Sequence, residues 1–157
     1  MRGKFVLAVV VLAMVAATGL GQAAKATKAA GNAPTFMPAG DLKWMDLDPS
    51  GAPGTKIVDV WGDHTKGGYG AFIKFPAGFK APLHTHTNAM KIVIVSGTFI
   101  AGPEGKPEVR LGAGSYFWQP GGNYRHTTAC DKDAECLFFA ESTGKFDLKP
   151  VEAPAKK

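Results

Sequence analysis

Short apolar runs of strand length recur along the chain, and glycine, proline or aspartate stands between them. The run at residues 90–95 is the richest in β-branched side chains and predicts a central strand. Outside the N-terminal segment no window shows a convincing helical period. Several short strands spaced by turn signals predict an all-β domain, either a sandwich or a barrel. The remaining runs lie at residues 56–61, 69–75, 98–100, 115–119 and 136–140.

The two ends of the chain differ in composition from its middle. A basic start, an apolar run and then small residues follow one another at the N-terminus. This order predicts a cleaved secretory signal peptide, because the apolar run is shorter than the ~20 residues that span a membrane. An uncleaved anchor is the alternative, since the run and its flanking alanines together are not far below that length. We therefore expect a periplasmic or secreted protein without a stable membrane anchor. The predicted organisation is a signal peptide at 1–23, a flexible leader at 24–40, a single domain at 41–150 and a flexible tail at 151–157.

The positive charge of the chain lies mostly outside the predicted domain. The formal net charge is +5, and Lys25, Lys28, Lys156 and Lys157 contribute much of the excess that remains once the signal peptide is removed. No basic cluster is interleaved with aromatic residues, so the sequence gives no support for nucleic-acid binding. There is also no glycine-rich phosphate loop and no serine nucleophile elbow.

The chain has two cysteines, Cys130 and Cys136. An even count in an exported chain favours a disulfide, and this spacing suits a bridge across the arms of a short hairpin. Two free thiols or two thiolate metal ligands are the alternatives. A bridge over so short a loop is worth about 2 kcal/mol.

Three of the four histidines fall in a pattern typical of a metal site. His84 and His86 are two residues apart, so on a strand both imidazoles point to the same face. His126 follows a Pro-Gly-Gly sequence and is able to supply a third imidazole. Three converging neutral imidazoles suit Zn, Cu, Fe or Ni. Residues 79–83 and 121–123 are predicted to be turns that lead into these positions.

The spacing around these histidines resembles the two sequence motifs of the cupin superfamily. The first motif reads Gly78, His84, His86, Met90 and Gly97, with Met90 in the place of the usual glutamate. The second motif reads Gly114, Pro120, Gly122, His126 and Cys130, with one extra residue before the histidine and with Cys130 in the place of asparagine. The resemblance covers residues 55–141 and extends to small cupin-like proteins of undefined function.

The resemblance implies a cupin-type jelly-roll barrel with a divalent metal inside, held by His84, His86 and His126. Cysteine dioxygenase-like and β-diketone dioxygenase-like cupins also use three histidines without a glutamate. Iron is the expected metal, with copper, zinc, manganese or nickel as alternatives. Cupins often form dimers, so a homodimer is one expectation.

Residues other than the histidine trio are also predicted to face the interior. Met90 is expected to fill space in the wall; alternatively it is a thioether ligand that favours copper, or it marks a weakened metal site. Gln119 and Tyr124 are candidates for ligand contacts, whereas His64 is expected to be an exposed loop residue with a role at the mouth as the alternative. The predicted apolar lining consists of Phe72, Ile92, Ile94, Phe117 and Phe138.

The sequence thus predicts an exported metal-binding cupin that acts on a small molecule. One hypothesis is an Fe(II)-dependent oxygenase, in which O₂ and a small chelating substrate share the open metal positions. The alternative is a non-catalytic cupin that binds or senses a small ligand or a metal. The motifs assign no catalytic residue and do not indicate the substrate.

Overall fold

The computed structural model describes residues 34–48 and 52–151. The chain separates into a segment Met1–Thr35 and a compact unit Phe36–Lys157, and the second carries all the elements that follow. A 3₁₀ turn at Ala39–Asp41 precedes the strands. The strands are β1 Met45–Asp46, β2 Lys56–Gly62, β3 Tyr69–Phe75, β4 Lys80–Thr85, β5 Met90–Ser96, β6 Phe99–Pro103, β7 Val109–Leu111, β8 Tyr116–Gln119, β9 His126–Cys130, β10 Cys136–Ser142 and β11 Lys149–Pro150.

The strands form two antiparallel sheets. One sheet has six strands in the order β1-β2-β3-β10-β5-β8, and the other has five in the order β11-β4-β9-β6-β7. Neighbours in the sheets are often distant in sequence, as in a jelly roll, and residues from both sheets enclose one apolar core. The prediction of an all-β jelly-roll barrel is therefore confirmed.

Alternation along the strands decides which side chains enter the core. In β3, Ala71 and Ile73 are buried, whereas Phe72 between them is only half-buried. The ring of Phe72 packs edge-to-face on Phe139, with the ring centroids 5.5 Å apart. The prediction that Phe72 lines the interior is wrong, because the period of two places it on the opposite face from Ile73. The other four predicted lining residues are buried in the core or packed against it.

The segment predicted as a turn at residues 79–83 is mostly strand β4. Its backbone pairs with β9 and with β11. The register of the pairing with β9 shifts between Ala81 and His84, and Pro82 lies in this bulge. Proline lacks the N–H that a continuous ladder needs, so the bulge allows a strand where Pro82 favoured a turn. The second predicted turn is confirmed at Gly122 and Asn123.

A disulfide joins Cys130 at the end of β9 to Cys136 at the start of β10, as predicted. The predicted signal peptide, most of the predicted leader and residues 152–157 of the predicted tail lie outside the described residues. Residues 34–40 of the leader are described and exposed. Within the described part of the chain, no helix has the length and apolar character needed to cross a membrane.

Candidate metal centre

Two adjacent strands bring the three histidines together. His84 lies in β4, His86 is the first residue after the end of that strand, and His126 begins β9. His84 and His126 are direct partners in the antiparallel register, so their side chains share a face. All three are buried, and the ring centroids lie 4.3 Å (His84–His126), 4.9 Å (His84–His86) and 5.3 Å (His86–His126) apart. One ligand atom of each lies within 4.8 Å of the others, which is close enough for a shared metal ion.

Hydrogen bonds to backbone carbonyls orient all three imidazoles. Nδ1 of His84 lies 2.6 Å from the carbonyl oxygen of Pro82, and Nδ1 of His126 lies 3.1 Å from that of Tyr124. Nδ1 of His86 contacts the carbonyl oxygen of Asp147. A carbonyl only accepts, so each Nδ1 carries the proton and each Nε2 keeps a free lone pair.

The orphaned Nε2 of His126 supports the fit to a metal. This atom is buried and has no hydrogen-bond partner within the described part of the chain. A buried nitrogen lone pair without a donor is costly, and a metal ion would satisfy it. Metal-binding histidines commonly donate their other ring N–H to a carbonyl, as these three do. The donor set therefore fits a divalent metal such as Fe, Zn, Cu or Ni.

Burial keeps the trio in the neutral form that binds metals. The pKa of His86 is lowered to about 4, mainly by burial and also by the neighbouring His84 and His126, against the raising effect of the hydrogen bond that its Nδ1 donates to the Asp147 carbonyl. The pKa of His126 is also lowered to about 4, by burial and by His84. Burial likewise lowers the pKa of His84. At neutral pH protons therefore do not compete for these nitrogens.

Two loops hold His86 from opposite sides. The N–H of Gly122 donates to the carbonyl of His86 at 2.8 Å. On the other side, the carboxylate of Asp147 accepts from the Thr87 N–H at 2.8 Å and also from the Thr87 hydroxyl. Asp147 thus fixes both the imidazole of His86 and the backbone beside it. The sequence analysis missed Asp147, because it stands 61 residues from His86 and no motif marks it.

An apolar cavity of about 60 Å³ lies between the two sheets beside the histidines. His84 and His86 line it, together with Met90 and Gln119. A cavity of this volume holds a few water molecules or a small organic group. The apolar part of the wall includes Ile73, Phe75, Ile92, Phe99, Phe138 and Ala140.

The three candidate contact residues occupy different places. The hydroxyl of Tyr69 donates to Sδ of Met90 at 3.5 Å, which favours a wall role for this methionine. Gln119, at the end of β8, is 2 % exposed and faces the cavity. Tyr124 is not part of the cavity wall: its ring stacks on His126 with a centroid distance of 5.0 Å, and its carbonyl orients that histidine.

His64 is buried, so the prediction of an exposed loop residue is wrong. Only 6 % of its surface is exposed, and Nδ1 lies 2.9 Å from a carboxylate oxygen of Asp59. The backbone carbonyl of His64 accepts from the N–H of Phe146 at 2.7 Å. These contacts keep His64 buried although its sequence neighbours are polar. It does not belong to the trio.

The chain thus combines a two-sheet jelly roll with three buried histidines from two adjacent strands, the arrangement found in the cupin fold. The chain belongs to the family described as domain of unknown function DUF4437, whose model matches residues 36–157. A comparison with curated proteins found no match.

Solved structures with a similar fold come from several bacteria. The polyketide cyclase RemF from Streptomyces resistomycificus has a TM-score of 0.64 at 15 % identity, with 78 % of this chain and 89 % of that chain covered. An RmlC-like cupin from Shewanella frigidimarina has a TM-score of 0.54 at 21 % identity, with coverages of 71 % and 92 %. KdgF from Halomonas sp. has a TM-score of 0.54 at 23 % identity, with coverages of 69 % and 94 %. At these identities the likeness establishes the cupin fold.

Proposed function

We propose that the protein binds a divalent metal through Nε2 of His84, His86 and His126 and is an Fe(II)-dependent oxygenase of a small organic substrate. The observation that carries the metal proposal is the shared orientation of the trio: each Nδ1 faces a backbone carbonyl and the ligand atoms converge. The buried Nε2 of His126 has no hydrogen-bond partner among the described residues, and a metal ion between the rings would give it one.

The donor set supports redox chemistry at the metal. The converging group contains three imidazoles and no carboxylate. Three neutral ligands leave the charge of the ion undiminished and leave coordination positions open. When bound there, Fe(II) would supply electrons and the open positions for O₂ and a chelating substrate.

The residues of the chain would bind the substrate and exclude water. The apolar wall at Ile92, Phe99 and Phe138 would desolvate the reacting groups. Apart from Asp48, the ionisable residues in the described lining are His84 and His86, which the metal would use. The site therefore offers little protein acid–base chemistry, which favours a reaction centred on the metal. The similar structures include a polyketide cyclase, so enzymes do occur on this fold.

The second candidate is a cupin that binds a small ligand or a metal without turnover. The small apolar cavity favours it, because such a site is able to hold a ligand without catalytic side chains. The disulfide favours an oxidising compartment, in which ferrous iron is hard to maintain. We propose a periplasmic or secreted location from the disulfide and the composition of the N-terminus.

Metal content is the first experiment. The protein without residues 1–23 should contain near-stoichiometric metal, and the triple variant His84→Ala/His86→Ala/His126→Ala should contain none. His64→Ala is the matched control: His64 is buried outside the trio, in a separate group with Asp59 and Asp63, and its removal should leave the metal of the trio in place. Absence of metal in the parent protein, even after reconstitution, would overturn the metal proposal.

Oxygen uptake separates the two candidates. Fe(II)-loaded protein should consume O₂ with a suitable small chelating substrate, and the triple histidine variant should not. A protein that binds metal and ligand without consuming O₂ or converting the ligand would be the non-catalytic cupin. Copper as the isolated metal would instead favour a role in metal handling.

A further inference from the structure

Gln119 carries a buried hydrogen-bond donor that nothing in the described fold satisfies. The side chain is 2 % exposed and lines the cavity that His84 and His86 also line. Its Nε2 has no partner among the described residues. Buried amide groups almost always have partners, so an orphan that faces a cavity points to a ligand.

The strand register places this amide beside Met90, the residue that stands where the cupin motif usually has glutamate. Gln119 in β8 is the direct antiparallel partner of Met90 in β5. Such partners share a face, with their Cβ atoms about 5 Å apart. A glutamate at position 90 would be able to accept the N–H of Gln119. The thioether of Met90 instead accepts from the Tyr69 hydroxyl, which leaves the amide for the contents of the cavity.

We propose that Gln119 is the specificity-determining residue and that it recognises a small monocarboxylate with an apolar body. The carboxylate would bind the metal and accept the N–H of Gln119. This inference rests on the proposed metal function. It names the chemical class of the substrate or bound ligand.

Three properties of the site select this class. A donor requires an acceptor, which excludes an ammonium group at this position. A divalent ion with three neutral ligands favours an anionic oxygen. The remaining wall is apolar and the cavity volume is about 60 Å³, which favours a short apolar body for the rest of the molecule.

The test uses Co(II)-loaded protein and butyrate as the probe. Butyrate binding is measured by calorimetry and by the change in the Co(II) absorption spectrum. Butan-1-ol and butylamine have the same chain length without the carboxylate and should bind at least about tenfold more weakly. Absence of butyrate binding to Co(II)-loaded protein would overturn the inference.

Two variants address Gln119 directly. Gln119→Met keeps the length of the side chain and Gln119→Leu replaces it with a branched apolar one, and both remove the donor. Each should raise the dissociation constant of butyrate about tenfold or more, because the lost hydrogen bond is to a charged group. Trp118→Ala is the control, because Trp118 is the preceding residue of β8 and is 58 % exposed. It should leave the butyrate affinity unchanged.

Co(II) binding distinguishes a failure of the proposed metal function from a failure of the inference about Gln119. If the parent protein does not bind Co(II), the metal function fails and the inference fails with it. If Co(II) binds stoichiometrically and both Gln119 variants bind butyrate as the parent does, only the inference fails. The Co(II) stoichiometry also shows whether a variant has kept its fold.

Discussion

Each site histidine uses one ring nitrogen for the fold and leaves the other for a ligand. His84 and His126 donate to carbonyls only two residues earlier in the chain, so local backbone geometry sets their orientation. His86 donates to a carbonyl 61 residues away, so its orientation depends on the loop between β10 and β11. His86 is therefore the ligand whose position is most sensitive to tertiary changes.

Asp147→Ala should weaken metal binding without removing a ligand. The variant loses both hydrogen bonds from Thr87, and the carbonyl that holds His86 loses its anchor. We expect the metal affinity to fall about tenfold, in line with the loss of partners that orient metal ligands. Competition with a chromophoric chelator measures it.

Asp147→Asn and Asp133→Ala serve as controls for this prediction. The asparagine oxygen still accepts from the Thr87 N–H, so its effect should be smaller. Asp133 is exposed and lies outside the site, so its removal should leave the affinity unchanged. Equal affinities in Asp147→Ala and the parent would show that the loop does not position His86.

Residue-level prediction from the sequence succeeded where a local pattern carries the information. The spacing of His84, His86 and His126 placed three imidazoles on one face. The burial of His64 was not predictable, because it follows from a contact with Asp59 and from the fold around both residues. The amide of Gln119 was a candidate, but its missing partner is visible only in three dimensions.

The turn between β8 and β9 couples backbone packing to the metal site. A Cβ on Gly121 would lie 2.6 Å from the carbonyl oxygen of Thr87. Gly121→Ala should therefore push the turn away from the segment after His86, with a cost of about 1–3 kcal/mol in the free energy of unfolding. Weaker metal binding should accompany it.

Gly112→Ala is the matched control for the turn. A Cβ at Gly112 meets nothing within 4 Å, so this variant should be close to neutral. Urea unfolding and chelator competition on both variants provide the comparison. If the Gly121→Ala and Gly112→Ala variants had similar stabilities and metal affinities, the turn would not be closely packed against Thr87.

The disulfide should stabilise the hairpin of β9 and β10 and leave the metal site intact. The double variant Cys130→Ala/Cys136→Ala should lose about 2 kcal/mol of unfolding free energy, as expected for so short a loop. Cys130 lies four residues along β9 from His126, or about 13 Å on an extended strand. Metal stoichiometry should therefore remain unchanged. Loss of metal in the double cysteine variant would show that the disulfide and the metal site are not independent.

At the element scale the apolar runs predicted the strands well, but they carry no information on which strands pair. The runs at 56–61, 69–75 and 136–140 correspond to β2, β3 and β10. Strand β5 lies between β10 and β8, in the interior of its sheet. The prediction failed at β4, where Pro82 indicates a turn but the chain bulges around it. Only the partner strands reveal that pairing.

The whole molecule places a polar metal site at the edge of an apolar core. The histidines come from the five-stranded sheet, while Met90 and Gln119 face them from the other. The cavity therefore needs both sheets, although the trio itself needs only one. The cupin motifs indicate the histidine trio, but the residues of the opposite wall depend on which strands pair and in which register. The homodimer and the exported location stay predictions.

The neutral trio makes the stability of the metal-free protein dependent on pH. Burial lowers the pKa of His86 and His126 to about 4 in the folded state, whereas the unfolded chain has values near 6.5. As the pH falls below about 6.5 the unfolded state takes up protons first, so folding stability decreases down to about pH 4. Between pH 7 and pH 5 each of these two histidines should cost about 2 kcal/mol.

Urea unfolding of chelator-treated protein at pH 7, 6 and 5 tests this dependence. The carboxylates with lowered pKa, including Asp147, titrate below this range, so they do not mask it. His86→Gln and His126→Gln should each flatten the pH profile, because each removes one buried titrating group. A parent protein whose unfolding free energy is constant from pH 7 to pH 5 would show that the imidazoles protonate freely in the folded state. Such easily protonated histidines would bind a metal less tightly than the buried trio requires.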